Sequence, residues 1–266
     1  MNISPLRYPG GKTRACKILD EILNKYFNLD SYTTLVSPFF GGGSFEFYIQ
    51  NKYGYALIVN DKFTPLYNFW NQIKINKNEL YENLINKNTV TKEDFVNYRN
   101  TIFEYKNNPL QQAFQYFIIN RCSFSGATLS GGFSEEASKK RFTISSINKI
   151  KNLNLENVEI YNEDFEDFIN KIYNNSTSIN YLLFLDPPYY LNDKSKLYGN
   201  NGDMHENFNH EKLFQSIKYK KKWIMTYNNC DYIKELYKDF IILDDVSWSY
   251  SMNKSKQSSE IVIISV

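Results

Sequence analysis

Cysteine and histidine are scarce in this chain of 266 residues, and their scarcity removes whole classes of chemistry. The three cysteines, at positions 16, 122 and 230, show no Cys-x-x-Cys spacing, and the two histidines, His205 and His210, are too few to complete a metal cage. A reducing compartment and no bound metal are the expectation. Strong charge of one sign is missing as well. With a formal net charge of +2, any binding of a polyanion has to come from local clusters, and Lys139-Lys140-Arg141 and Lys218-Tyr219-Lys220-Lys221-Lys222 are the candidates; solvated faces are the alternative. No apolar run reaches the length of a membrane span, and Met1-Asn2-Ile3-Ser4 lacks a signal-peptide core. A cytoplasmic chain with no membrane partner is expected.

What the chain does have is a set of strand-like runs that stop at chemically loaded residues. Tyr181 to Leu185 is continuously apolar, as in a parallel strand covered on both faces, and it ends at Asp186-Pro187-Pro188-Tyr189. Proline cannot donate to a sheet ladder. The two prolines therefore fix a rigid turn, expected to leave the Asp186 carboxylate and the Pro187 carbonyl unpaired and pointing outward. Two adjacent acceptors suit an exocyclic NH2 group, and Tyr189 or Tyr190 can stack on the ring that carries it. Asp-Pro-Pro is also ordinary turn chemistry, so both readings stand at this point.

Nearer the N-terminus, Thr34-Leu35-Val36 leads through Ser37-Pro38-Phe39-Phe40-Gly41-Gly42-Gly43-Ser44 into Phe45 to Ile49, which reads as strand, glycine turn and helix. Three glycines remove every Cβ at the turn, so a ligand can lie against the backbone at the end of a first strand in a doubly wound sheet. A plain flexible loop is the alternative. The turn is not closed by Gly-Lys-Ser/Thr and lacks G-x-G-x-x-G spacing, which disfavours pyrophosphate cofactors. A second apolar run, Tyr55 to Asn60, ends at Asp61, about 20 residues past the glycines, where such folds place an acid on ribose hydroxyls. Asp164-Phe165 offers another acid and ring for an adenine, or a cap for a helix from Phe165 to Tyr173.

Residues 64 to 106 carry a helical pattern, with Leu66, Phe69, Trp70 and Ile73 at three- and four-residue spacing. Thr91 to Asp94 reads as an N-cap, Asn107-Asn108-Pro109 as a break, and Gln111 to Ile119 as an apolar helix. The Gly- and Ser-rich stretch from Ser123 to Phe142 is too long for an ordinary connection. The expected organisation is one domain built from residues 1–64 and 156–266, split by an inserted helical lobe at 65–155.

In this order the motifs resemble those of the Dam-type (D12 class, alpha-group) DNA N6-adenine methyltransferases, and the resemblance spans nearly the whole chain. Arg7-Tyr8-Pro9-Gly10-Gly11-Lys12 is similar to the family's aromatic-x-Gly-Gly-Lys segment, which lies against the methionine part of S-adenosyl-L-methionine. Pro38 to Ser44 resembles its cofactor loop, Asp61 the ribose acid, Asp164-Phe165 the adenine pair, and Asp186-Pro187-Pro188-Tyr189 the catalytic tetrapeptide. Asn120-Arg121-Cys122-Ser123-Phe124-Ser125-Gly126 is similar to the segment at the DNA interface, with Ser125 where Asn is usual. Met225 to Asn229 looks like the strand end lining the target pocket, and Ser249 to Ile264 follows the family's ending.

The resemblance implies an α/β, Rossmann-like methyltransferase fold with a mixed, mostly parallel sheet, and a lobe at 65–155 that recognises DNA. It implies S-adenosyl-L-methionine as cofactor, double-stranded DNA as substrate, a monomer or weak dimer, and a cognate restriction endonuclease as a partner to look for. The target adenine is expected to be flipped out, with Asp186 and the Pro187 carbonyl accepting the N6 hydrogens and Tyr189 stacking on the base. Arg7 is expected to contact guanine, since arginine reads O6 and N7 bidentately. GATC-specific members carry an arginine after the interface segment. Here Ala127-Thr128-Leu129-Ser130 is neutral, which argues against GATC. Methyltransferases of RNA or protein glutamine usually begin the tetrapeptide with Asn and place the substrate domain before the cofactor loop, and a non-catalytic DNA-binding subunit would carry damaged motifs.

Overall fold

A computed structural model describes residues 1–175, 180–190, 208–249 and 257–266 of the chain. His205, Lys254 and Lys256 lie outside the described residues. The strands are β1 Thr34–Ser37, β2 Ala56–Asn60, β3 Val158–Tyr161, β4 Tyr181–Leu185, β5 Trp223–Asn228, β6 Ile241–Ser249 and β7 Gln257–Ser265. They form one sheet in the order β3-β2-β1-β4-β5-β7-β6. β1 to β5 pair in parallel, and β7 inserts antiparallel between β5 and β6. Side chains alternate along each strand. Leu35, Leu57, Leu182, Phe184, Ile224 and Val262 enter one core, while Val36, Ile58, Leu183, Leu185, Met225 and Ile263 enter the other. Burial on both faces is why these strands read as unbroken apolar runs.

The chain reverses direction across the sheet between β1 and β4, and such a switch point opens a crevice at the carboxyl ends of the strands. The residues after β1 and after β4 flank it. On one face lie α1 Cys16–Tyr26 and α2 Ser44–Tyr53; on the other lie α9 Phe165–Asn175, α10 His210–Ile217 and α11 Asp231–Leu236.

Between β2 and β3 the chain forms α3 Thr64–Ile75, α4 Lys77–Asn86, α5 Lys92–Thr101, α6 Pro109–Cys122, α7 Glu135–Lys140 and α8 Ile144–Asn152. Thr91 caps α5 in a reciprocal box with Asp94. The break at Asn107-Asn108-Pro109 is where α6 starts, two residues before Gln111: Asn108 accepts from Gln111 N and Pro109 occupies the first turn, where its missing N–H costs nothing. α6 is buried nearly all round, from Gln112 to Cys122. Its Tyr116 and Phe117 pack on Phe69, next to Trp70, which in turn packs on Phe40 and Phe47 of the sheet region. These helices therefore share a continuous apolar core with one face of the sheet.

Candidate active site

Asp186 follows the last residue of β4, but its carboxylate is not the unpaired acceptor expected from the turn. Lys12 Nζ donates to both oxygens, at 2.7 Å to Oδ1 and 2.8 Å to Oδ2, and Thr226 Oγ1 donates to Oδ1 at 2.7 Å. The reason is electrostatic. Lys12 is 3% exposed, and an ammonium that far from water requires a counter-charge; Asp186, at 22%, supplies it. Lys12 also donates to the Gly10 carbonyl at 3.1 Å and sits 5.1 Å from the centre of the Tyr189 ring. It thus links the turn Tyr8-Pro9-Gly10-Gly11, closed by Gly11 N donating to Tyr8 O at 3.1 Å, to the tetrapeptide. Pro187 is buried and Pro188 partly so. The Tyr189 ring stacks on Tyr227 with centroids 5.8 Å apart, and its hydroxyl donates to Glu260.

The glycine loop lies across the crevice from Asp186. Gly41 and Gly43 adopt φ of +50° and +66°, a region that side chains avoid. The space a Cβ would need is taken by protein. At Gly41 and Gly42 it would lie 2.7 Å from Tyr8 atoms, and at Gly43 2.7 Å from the Phe40 ring. The loop is glycine-rich because the Tyr8 and Phe40 rings fill the space of its missing Cβ atoms, which corrects the expectation that this space lets a ligand lie against the backbone. Trp70 Nε1 holds the Gly41 carbonyl at 3.0 Å, and Asn60, fully buried, donates to Pro38 O and Glu163 O while accepting from Glu163 N. Ser44 Oγ accepts from Thr13.

Asp61 accepts from Gly41 N and from Phe63 N, both at 2.9 Å. Burial pushes its carboxyl up to about 6, against the pull of those two N–H groups. Asp164 shows the opposite balance. Burial raises it, but the hydrogen bond from Lys62 at 2.8 Å, the Glu166 N–H and the Lys212 charge outweigh that and lower it overall. Asp164 does cap the start of α9, through Glu166 N at 3.2 Å. Phe39 and Phe165 meet at 5.7 Å, and Phe208 contacts both. Phe39, Phe165 and Asp61 beside the glycine turn together offer rings, an acid and main-chain polar groups, a donor set that fits an adenosine-bearing cofactor. Among the described residues no group of three or more His, Cys, Asp or Glu side chains is arranged to hold a metal ion.

The residues expected at a DNA interface divide into braces and surface groups. Asn120 is fully buried; its amide accepts from Arg7 N at 2.9 Å and donates to Arg7 O at 2.6 Å, so it pins the N-terminal segment to α6 and presents no surface to DNA. Ser123 is also fully buried, accepting from Thr128 N. Arg121 holds the Arg141 and Pro5 carbonyls, and Arg7 Nη1 donates to Ser123 O at 3.2 Å. Arg7, Arg121 and Arg141 nonetheless form a positive cluster. Burial and then the Arg141 charge lower Arg7, while burial followed by Arg7 and Arg141 brings Arg121 down to about 10. The mutual repulsion of these guanidinium groups marks a local concentration of positive charge.

Ser125, at φ +52°, and Gly126, whose Cβ would strike Arg7 at 2.8 Å, form a tight turn beside this cluster. The turn lifts Phe124 to 69% exposure. Lys139 and Lys140 are exposed on α7, each paired with a glutamate one turn back. The cluster Lys218 to Lys222 lies elsewhere. It precedes β5, and Lys222 bonds to Ser265 and Leu183 main chain at the amino end of the parallel strands, opposite the edge that carries Asp186. A basic run in sequence does not say at which end of a strand it sits.

Among the described residues three acids are almost wholly buried, Asp20, Glu46 and Glu260, and sequence reasoning gave no role to the two that stand close to this site. Glu46, in the first turn of α2, is 2% exposed and accepts from Ser37 Oγ at 2.7 Å; burial, only partly offset by that bond, pushes its carboxyl up to about 8. The signal was an acid between Phe45 and Phe47. Glu260 on β7 is the other.

A search of solved structures finds the rRNA methyltransferase aviRa from Streptomyces viridochromogenes, at 9% identity and a TM-score of 0.39 over 96% of this chain and 85% of that one. Among curated proteins the chain is 25% identical over 207 residues to the Type II methyltransferase M.MjaIII of Methanocaldococcus jannaschii, covering 71% of this chain and 70% of that protein. The strand order, with its antiparallel β7, is that of a Rossmann-like methyltransferase fold. Residues 8–252, from the Tyr8 turn past the tetrapeptide, match one family throughout, and the chain belongs to the D12 class N6 adenine-specific DNA methyltransferases.

Proposed function

We propose that the chain transfers a methyl group from S-adenosyl-L-methionine to N6 of an adenine flipped out of duplex DNA. The observation that supports this most is the convergence of Asp186, Tyr189 and the Tyr8-covered glycine loop on the crevice between β1 and β4, tied together by Lys12. When bound, S-adenosyl-L-methionine supplies a methyl already activated by a sulfonium. The chain's own residues do the rest. The glycine backbone, Asp61, Phe39 and Phe165 orient the donor, with Tyr8 and Lys12 closing the crevice.

A carboxylate has about four lone-pair sites. Lys12 takes one on each oxygen of Asp186 and Thr226 a second on Oδ1, so Oδ2 retains one site for an N6 hydrogen. The Pro187 carbonyl takes the other. Accepting both hydrogens outside the ring plane localises the nitrogen lone pair for attack, and the positive charge that develops on N6 lies against the carboxylate. In-line alignment supplies much of the remaining rate.

The helical region at 65–155, the Arg7, Arg121 and Arg141 cluster, and exposed Phe124 with Ser125 and Gly126 form the proposed DNA-facing surface. A neutral 127–130 stretch favours a short site other than GATC. The likeness to a Type II methyltransferase supports a restriction-modification setting with a cognate endonuclease. Incubation of the purified chain with tritiated S-adenosyl-L-methionine and separate DNA, RNA and protein pools tests the substrate class. Label confined to DNA adenine is expected, and label in RNA or protein with none in DNA contradicts the proposal.

A further inference from the structure

β7 pairs antiparallel with β5 so that Glu260 stands opposite Asn228. Side chains two apart on a strand share a face, so Thr226, Asn228 and Glu260 line one face of this strand pair. Each reaches a different residue of the segment after β4. Thr226 donates to Asp186 at 2.7 Å, Asn228 Nδ2 donates to the Tyr190 carbonyl at 2.6 Å, and Glu260 Oε2 accepts the Tyr189 hydroxyl. Glu260 is 1% exposed and begins the apolar run Ile261-Val262-Ile263-Ile264. A carboxyl at that depth is costly to maintain, and its placement needs a compensating interaction. The Tyr189 hydroxyl is one such interaction, made at the far tip of the ring.

We infer that Glu260 is a positioning residue for methyl transfer: by holding the Tyr189 hydroxyl it fixes the plane of the ring that receives the target base. The inference rests on the reading of Tyr189 as that ring. A tyrosine swings about two soft torsions, and the contacts of the ring with Tyr227 at 5.8 Å and Lys12 at 5.1 Å have no directional bond to fix its tip. A bond at the hydroxyl stops the swing that face contacts permit. With it lost, the base is held out of line, and a displacement of about 1 Å at a reacting centre costs roughly 100-fold in rate.

The test uses the full chain carrying Glu260→Ala, Glu260→Gln, Tyr189→Phe or Glu260→Ala with Tyr189→Phe. Single-turnover methylation of duplex DNA is measured with the dissociation constant of S-adenosyl-L-methionine, and base position is followed by the fluorescence of 2-aminopurine at the methylated adenine, located beforehand by sequencing wild-type-treated DNA. Glu260→Ala is expected to slow methylation about 10- to 100-fold with cofactor affinity within about twofold, whereas Glu260→Gln, which keeps an acceptor, stays within about threefold. Because Glu260 acts through the hydroxyl, Glu260→Ala is expected to cause no further loss in the Tyr189→Phe background. Equal losses in both backgrounds, or a wild-type rate for Glu260→Ala, overturn the inference. If Glu260→Ala does not fold, Tyr189→Phe decides: a roughly tenfold loss with altered 2-aminopurine fluorescence supports the inference, and a wild-type rate overturns it. A wild-type chain that leaves DNA unlabelled overturns the adenine reading as well, an outcome distinct from failure at Glu260 alone.

Discussion

Removing the carboxylate of Asp186 is expected to destabilise the protein as well as inactivate it. Loss of an active-site charge commonly leaves stability unchanged or raises it, because functional groups are held against their own preference. Here the sign is reversed by Lys12, which is 3% exposed and ion-paired with Asp186 at 2.7 Å. Asp186→Ala removes the carboxylate that Lys12 Nζ meets at 2.7 and 2.8 Å, and breaking one side of a buried pair costs about 3–5 kcal/mol. For a chain of this size that lowers the melting temperature by roughly 10 °C. Lys12→Met removes the buried charge itself; Asp186, 22% exposed and still bonded to Thr226, keeps partial hydration, so a cost of about 1 kcal/mol is expected. The double variant is expected to melt near Lys12→Met, since replacing a whole buried pair by apolar groups is often neutral. Thermal unfolding followed by circular dichroism on all four proteins gives the ordering. Asp186→Ala melting at or above the wild type, or a double variant no better than Asp186→Ala, refutes the reasoning.

The other expectations concern pH, the glycine loop and the far edge of the sheet. Glu46 has its folded pKa raised from 4.5 to about 8, so its contribution to stability is complete below about pH 4.5 and is lost as pH rises toward 8; Glu46→Gln removes this dependence, on the order of 4 kcal/mol by pH 9. Urea unfolding at pH 5, 7 and 9 reads it, and parallel curves for the two proteins would sink it. Gly41→Ala places a Cβ 2.7 Å from the Tyr8 ring at φ +50°, and calorimetry is expected to show cofactor affinity lowered at least about tenfold, roughly the effect of 1–3 kcal/mol of local strain. Lys218→Ala with Lys221→Ala, on the edge opposite Asp186, is expected to leave DNA affinity within about twofold by fluorescence anisotropy, because phosphate contacts act locally. A tenfold weakening would put DNA on that edge instead.

Strand ends were legible because an apolar run that stops at Asp-Pro-Pro or at three glycines carries both its geometry and its chemistry in adjacent residues. Partners far apart in sequence were not. Lys12 and Asp186 are separated by 174 positions, and only the fold shows that the acid read as a free acceptor is the counter-ion of a buried lysine. β6 was missed because Asp244-Asp245 interrupts its apolar run at a register shift between Leu243 and Val246, where an extra residue breaks the alternation that marks a strand. Asn107-Asn108-Pro109 was legible as the break before α6 because a capping Asn and a first-turn proline are adjacent residues. In the same way, the family resemblance placed Asn120 and Arg121 at a DNA interface. Their burial and main-chain partners make them the scaffold on which Arg7 rests.

Asp186 is proposed to direct methyl transfer to adenine N6 in DNA. Mass spectrometry of nucleosides from a methylation-free host expressing the wild-type chain or Asp186→Asn measures it directly. N6-methyldeoxyadenosine in the wild-type sample and none with Asp186→Asn is the expected result. Unmodified deoxyadenosine in both, or a methyl group on deoxycytidine instead, contradicts the account.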